Sequence, residues 1–228
     1  MINNVEIDVI NLYNRTANQY DELSKKGFWY SPQILFGLHY PYLAEGQKLL
    51  DLGIGTGQSS ELYKRLGLEI TGIDGSKRML GQCREKDITD KLLEFNLNEL
   101  NDSNLPFGEN SFYHVISNGV FYFIEDLELI FKEIKRVLNK EGIFGFTTEY
   151  SEDDSVNKRT ITIHEAYGST EIKQEMSINI FSHGNKYLER LEKELNFQPL
   201  IRPVKFLAYY SPSEKKDICF GAHLLKAQ

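Results

Sequence analysis

Residues 49–62 read LLDLGIGTGQSSEL: an aliphatic run ending in Asp51, glycines at 53, 55 and 57, and then helix-forming residues. Glycine in such a turn reaches backbone angles closed to other residues and lets a ligand approach main-chain atoms closely. Spacing then decides between ligands. The dinucleotide fingerprint GxGxxG puts its third glycine where Gln58 stands, and Gly57 comes one residue early. The phosphate loop needs GK[ST] after its glycines, and the nearest lysine, Lys64, lies well into the following helix. The next strand, in LEITGIDGSKRML, ends at Asp74. A carboxylate there accepts hydrogen bonds from both hydroxyls of a ribose and opposes a ribose that bears phosphate. Turn and acid together describe a nucleoside without phosphates.

Outward from the turn, strands and helices alternate from residue 47: strand KLLDL, helix 57–66, strand LEITGID, helix 76–84 and a short strand in LLEFNL. Strand FYHVIS at 112–117, helix 125–138 and strand GIFGFTTEY from 142 continue the pattern. Short aliphatic strands separated by helix-length segments imply a parallel sheet covered on both faces. After Tyr150 the rhythm breaks: SEDDSVNKRT is polar, ITIHEAYGSTEIKQEMSINIF is ambiguous, and a helix over about 184–195 leads to strands near 198–209 and 217–226. Too few residues separate those last two for a crossover helix, so they pair antiparallel. Upstream, Val9, Ile10, Tyr13, Ala17 and Tyr20 form one apolar stripe of a helix over 5–20. Ser31 and Pro32 start another, with Ser31 as cap. The expected fold is α/β: a Rossmann-like, doubly wound, mostly parallel seven-stranded sheet with an antiparallel C-terminal edge strand.

At 228 residues the chain is long enough for one α/β domain with a substantial core. Its net charge of −7 repels polyphosphate, so no nucleic acid partner is expected. The basic run KEIKRVLNK at 132–140 interleaves with Ile134, Val137 and Leu138 at helical spacing and reads as a solvated helix face. No apolar run approaches the roughly 20 residues needed to span a bilayer, and MINNVEIDVIN lacks the pattern of a secretory signal. A cytoplasmic protein without a membrane partner is expected. Cys83 and Cys219 lie far apart, and His39, His114, His164, His183 and His223 are scattered without an HxxxH pair, so no metal site is expected.

LLDLGIGTGQSS, GIDGSKRML and LPFGENSFYHVISNGVFYFIEDLELIFKEIKRVLNKEGIFGF, in that order, resemble the class I S-adenosylmethionine-dependent methyltransferases of the small-molecule type. The resemblance runs from about residue 10 to 150. It implies S-adenosylmethionine as cofactor and transfer of its methyl group to a small-molecule acceptor by in-line displacement. It further implies that Gly53, Gly55 and Gly57 pack against the methionine portion, with Asp51 near the amino group. Asp74 then takes the ribose, and Gly75, Ser76 and Met79 flank the adenine. Asn96, with Leu97 beside it, stands where relatives carry an Asp that accepts from the adenine amino group; an amide oxygen accepts the same bond. Asn118 and Gly119 match the end of the fourth strand, where the chain passes the cofactor. Tyr113 departs from the Asp that usually opens that strand. The segment YNRTANQYDEL resembles the helix that closes over the cofactor, which makes Tyr13 and Tyr20 contact candidates.

Tyr122 stands where many relatives place a His or Tyr facing the acceptor, and His183 resembles part of a Ser-His pair that caps the pocket in some of them. These two are the catalytic candidates. With Glu149 they are also the candidates for a general base, which an acceptor of low pKa does not need. Each assignment has a plainer rival: Met79 as core filler, Asn96 as turn former, Tyr13, Tyr20 and Tyr122 as packing aromatics, and Ser182 with its neighbours as a helix cap. The layout expected is a single domain. It has a helical cover at 1–46, a cofactor-binding core at 47–150, a substrate-covering insertion at 151–183, and a C-terminal helix and antiparallel hairpin at 184–228. A nicotinamide-dependent oxidoreductase and a non-catalytic cofactor-binding or partner protein are the alternative functions.

Overall fold

The computed structural model describes residues 5–100, 104–162, 176–211 and 215–228. At its centre β2 (Lys48–Leu52) buries side chains on both faces: Leu50 and Leu52 join one hydrophobic cluster and Leu49 the other. That division is what pleating demands of a strand covered above and below. β3 (Glu69–Asp74) and β5 (Phe112–Ser117) flank it, both parallel. Beyond them lie β4 (Lys91–Glu94) and β6 (Leu138–Ser151), again parallel to their neighbours. β11 (Lys216–Ala227) pairs antiparallel with β6 and with β10 (Val204–Ser211). The order β4-β3-β2-β5-β6-β11-β10 is the expected mostly parallel seven-stranded sheet with its C-terminal antiparallel hairpin.

The chain runs outward from β2 through β3 to β4, then returns to the other side of β2 for β5. In such sheets ligands bind beyond the carboxyl ends of the strands at this reversal. α4 (Ser60–Arg65) and α5 (Lys77–Glu85) follow β2 and β3, while α6 (Glu128–Val137) precedes β6. α6 buries Ile130, Phe131, Ile134 and Val137 against the Phe121, Phe144 and Phe146 cluster. Its basic residues are engaged at the surface: Lys132 with Glu128, and Arg136 with Glu133 and the Phe107 carbonyl.

Four further strands extend the sheet. β1 (Val5–Glu6), β7 (Val156–Thr162) and β8 (Met176–Gly184) lie at one end, and β9 (Phe197–Pro199), after α7 (Asn185–Glu194), pairs with β11. Glu149 pairs with Phe220 on one side and with Ser182 of β8 on the other. β8 therefore takes over the edge of β6 that β5 leaves at Ser117. β7 and β8 thus form an antiparallel pair above the end of β5, where the sequence showed only a polar, ambiguous stretch. Residues 163–175, the middle of the expected insertion and the site of His164, lie outside the described residues.

The N-terminal helix is shorter than its stripe predicts. Asp8 caps α1 (Val9–Thr16) by accepting from the Asn11 amide at 3.2 Å; a 3-10 turn then leads into α2 (Tyr20–Lys26). α3 (Ser31–His39) places Tyr30, not Ser31, in the cap position. Among the described residues, no helix is long and apolar enough to cross a membrane.

Candidate active site

The turn after β2 is held open from beneath. The Gly53 and Ile54 amides both donate to the Ile73 carbonyl, at 2.8 and 3.0 Å, tying the turn to the end of β3. Gly53 and Gly55 have φ of +75° and +55°, the left-handed region that glycine enters without strain. A Cβ at Gly53 would also collide with Val120. Asp74 closes the base of the turn: one carboxylate oxygen accepts from the Gly55 amide at 2.9 Å, the other from the Ser76 amide at 2.7 Å. Burial raises the Asp74 pKa, and these two bonds oppose the rise. A carboxylate has about four acceptor sites, so each oxygen keeps one for a ligand. Ser76 caps α5 by accepting from the Met79 amide at 3.2 Å, and its hydroxyl donates to Asn14 of α1 at 2.8 Å.

Asn118, at the end of β5, is a second node. Its Oδ1 accepts from the Ser31 hydroxyl at 2.5 Å and the Thr147 hydroxyl at 2.7 Å, and its Nδ2 donates to Ser59 at 2.9 Å. Ser31 therefore spends its hydroxyl on β5 rather than on the helix cap expected of it. The Gly119 amide donates to Thr147 at 3.0 Å, which fixes the chain as it passes the turn.

Above these elements lie α1, α2 and Trp29. Asp21 of α2 accepts from Thr56 at 2.5 Å and from Gln58 at 2.8 Å, and also pairs with Lys86. Those bonds hold its carboxyl below the usual range against the opposing effect of burial. Two adjoining cavities result. A cleft of about 110 Å³ runs over the glycine turn and Asp74, and a chamber of about 790 Å³ lies beside it, between α2, Tyr122 and β10. Tyr13, Tyr20, Trp29, Gly119 and Phe123 face both.

The cleft brings together most of the residues singled out in the sequence. Gly53, Gly55, Asp74, Gly75, Ser76 and Met79 line its floor; Asn96, Leu97, Asn118 and Gly119 line its sides, and Tyr13 and Tyr20 its cover. Asn96 also has a turn-forming role: its Oδ1 accepts from the Asn98 amide at 3.1 Å and its Nδ2 donates to Glu99 at 3.2 Å.

Six residues are placed otherwise than expected. Asp51 is 1 % exposed beneath the turn, away from the cleft lining, where it accepts from the Ser60 hydroxyl at 2.7 Å. Burial pushes its pKa up to about 7. Gly57 also lies outside the lining; a Cβ there would strike Ile88, so its φ of +85° serves packing. His183 is not a catalytic group in this geometry. It sits in β8 with Nδ1 accepting from Thr148 at 3.1 Å and Nε2 donating to the Glu125 carbonyl at 3.2 Å, and burial pushes its pKa down to about 4. Nor does Ser182 cap α7, whose cap position is Gly184 with no side-chain bond. Tyr122 does face the chamber, but burial and a hydrogen bond to Tyr13 raise its pKa well above the ordinary range, which removes it as a base near neutral pH. Glu149 is paired with Arg159 at 2.7 Å and lines neither cavity.

Asp21, Thr56, Gln58, Asn14 and Ser31 were not legible as site residues. Asp21 and Asn14 stand inside the quoted YNRTANQYDEL, yet each meets partners 35 or more positions away. Nothing in local spacing signals such a contact.

Residues 50–146 match the model of a family described as a methyltransferase domain. A malonyl-[acyl-carrier protein] O-methyltransferase from Legionella pneumophila is 28% identical over 148 residues, 63% of this chain and 50% of that protein. A sterol 24-C-methyltransferase from Gibberella zeae is 30% identical over 139 residues, 55% of this chain and 36% of that protein. The chain thus spans half or less of the length of these curated relatives. Among solved structures, a chain from the complex of the Haloferax volcanii Trm112 methyltransferase activator with a methyltransferase superposes with a TM-score of 0.71. That match has 18% identity and covers 96% of this chain and 97% of that one. The resemblance read from the glycine turn is borne out over residues 50–146, which match a methyltransferase domain; S-adenosylmethionine-dependent methyltransferases of known structure share the fold, and S-adenosylmethionine is the cofactor they use.

Proposed function

We propose that this methyltransferase binds S-adenosylmethionine in the cleft and transfers its methyl group to a small-molecule acceptor held in the adjoining chamber. The observation that carries the reading is the shared wall: Tyr13, Tyr20, Trp29, Gly119 and Phe123 face both cavities, so a group offered in one meets its partner in the other. The two relatives are named for a malonyl group borne by an acyl-carrier protein and for a sterol. The whole chain is read as one domain, with residues 1–46 as cover and 47–150 as cofactor-binding core.

When bound, the cofactor supplies a sulfonium-activated methyl group that a nucleophile displaces in line. The chain's own work is to hold and align. Asp74 offers its remaining acceptor sites to the ribose hydroxyls, and the left-handed glycines 53 and 55 let the methionine portion lie against the backbone. Met79 and Leu97 supply apolar surface for the adenine. Most of the rate then comes from alignment in a site closed to water.

The donor set suits such a ligand, but the cleft is tight. The Ile10 side chain presses on Gly75 so closely that a Cβ there would lie 2.6 Å from Ile10 Cδ1.

Calorimetric titration and thermal melting with S-adenosylmethionine, S-adenosylhomocysteine and NAD test the reading. Ligand at about 100 times its dissociation constant stabilises by roughly 2.7 kcal/mol. Stabilisation by the first two and not by NAD is expected; stabilisation by NAD alone sinks the proposal.

A further inference from the structure

The chamber restricts the chemistry of the acceptor. Among the described residues that line it, Lys26 is the one charged side chain, and there is no carboxylate, histidine or cysteine. Its wall is otherwise aromatic and aliphatic, with Phe28, Trp29, Ile161, Ile178, Leu207 and Ala208 giving it apolar breadth. Polar atoms come mainly from the hydroxyls of tyrosines, including Tyr13, Tyr20, Tyr122 and Tyr209. Burial pushes the Tyr20 hydroxyl up to about 12 and raises Tyr122 well above the ordinary phenol range, so both stay protonated near neutral pH. They donate hydrogen bonds and take no proton.

Two consequences follow from elementary electrostatics. A protonated amine would enter an apolar chamber with no countercharge and face a sulfonium of its own sign, and burying an unpaired charge is strongly unfavourable. A neutral alcohol would have to lose a proton as it is methylated, and no described group in the chamber receives one. An anionic oxygen meets neither obstacle: it is attracted to the sulfonium and steadied by phenolic donors.

Resting on the methyltransferase reading above, we propose that the chamber binds an apolar organic acid and that the methylated atom is its already ionised oxygen, a carboxylate or a comparably acidic hydroxyl. The acceptor oxygen's lone pair forms the new bond to carbon, and the carbon–sulfur pair stays with sulfur. No proton moves, and both charges vanish. Tyr122 is on this account a positioning residue, donating to the acceptor oxygen instead of removing a proton.

Trp29, the chain's sole tryptophan, faces both cavities and reports binding in either. With the protein saturated by sinefungin, an analogue whose protonated amine stands in for the positive sulfonium, Trp29 emission is followed during titration with adamantane carboxylate and, separately, with adamantyl ammonium, apolar bodies of one size and opposite charge. The carboxylate is expected to bind at least tenfold more tightly. Tyr122→Phe is expected to weaken the carboxylate severalfold, and Ala208→Phe, which fills the chamber, to abolish its binding, both with sinefungin affinity retained. Equal or tighter binding of the ammonium, or no binding of either probe by protein that holds sinefungin, overturns the proposal and leaves the cofactor reading standing. Failure to bind both sinefungin and S-adenosylhomocysteine overturns that underlying reading instead.

Discussion

Asp21 on α2 accepts a 2.5 Å hydrogen bond from the hydroxyl of Thr56, which lies between the glycines of the turn. The same carboxylate takes Gln58 and Lys86, so one side chain fastens the helical cover to the floor of the cleft. Ser76 and Asn14 make a second fastening, at 2.8 Å, between α5 and α1. Both contacts tie the helical cover down over the cleft.

Asp21→Ala should therefore loosen retention of S-adenosylhomocysteine without unfolding the sheet. Since Asp21 is partly exposed, a loss near the lower end for a hydrogen bond to a charged group, about 1.4 kcal/mol or tenfold in affinity, is expected. Titration calorimetry checks it; unchanged affinity in a folded variant means the latch is idle.

Asp74→Ala removes the proposed ribose acceptor and also strands the Gly55 and Ser76 amides that bond to it. Cofactor affinity should fall by about ten- to a hundredfold, corresponding to roughly 1.5–3 kcal/mol. Asp74→Asn, which keeps one acceptor oxygen, should lie between. Should both variants bind like the wild type, the ribose is held elsewhere.

Gly57→Ala separates packing from binding. A Cβ there meets Ile88 and lies 2.9 Å from Cys83 Sγ, at a φ of +85°. Left-handed strain and overpacking together should cost about 2–4 kcal/mol of stability. The urea midpoint should drop while affinity per folded molecule is preserved; the reverse pattern would return Gly57 to the cofactor site.

Asp51 makes stability depend on pH. Burial raises its folded pKa to about 7 from the ordinary 3.8. Below about pH 4 it is protonated in both states; as pH rises from there to about 7, only the unfolded chain ionises, so stability falls. The loss is on the order of 4 kcal/mol once pH passes the folded value. Asp51→Asn keeps an acceptor for Ser60 and should flatten this component, making the variant the more stable protein at pH 8. Glu192 shares the raised direction, and the buried histidines His39, His114, His183 and His223 are lowered, losing stability as pH falls through the range between their ordinary and folded values. The difference between wild type and variant, from urea midpoints at pH 5 and pH 8, isolates Asp51. Parallel pH curves for the two would rule out the buried carboxyl as the cause.

What the sequence determined by itself was whatever repeats at short range. Strand and helix periods laid out the seven-stranded sheet, and the spacing of Gly53, Gly55 and Asp74 brought the floor of the cleft into view. A strand end and the turn that follows it are covalent neighbours, so their geometry is written locally. The tertiary structure decided the rest. Gly57 belongs to the same glycine series as Gly53, yet only the position of Ile88 makes it a packing residue. Asp51 reads as a polar site residue until the surrounding core encloses it, and His183 as a catalytic group until Thr148 and Glu125 occupy both ring nitrogens. Asp21 looks like an ordinary acid in the first turn of a helix until folding sets it over Thr56. Burial and long-range hydrogen bonds arise between segments that chain spacing leaves independent, and they decide which polar groups face a ligand and which only hold the fold together.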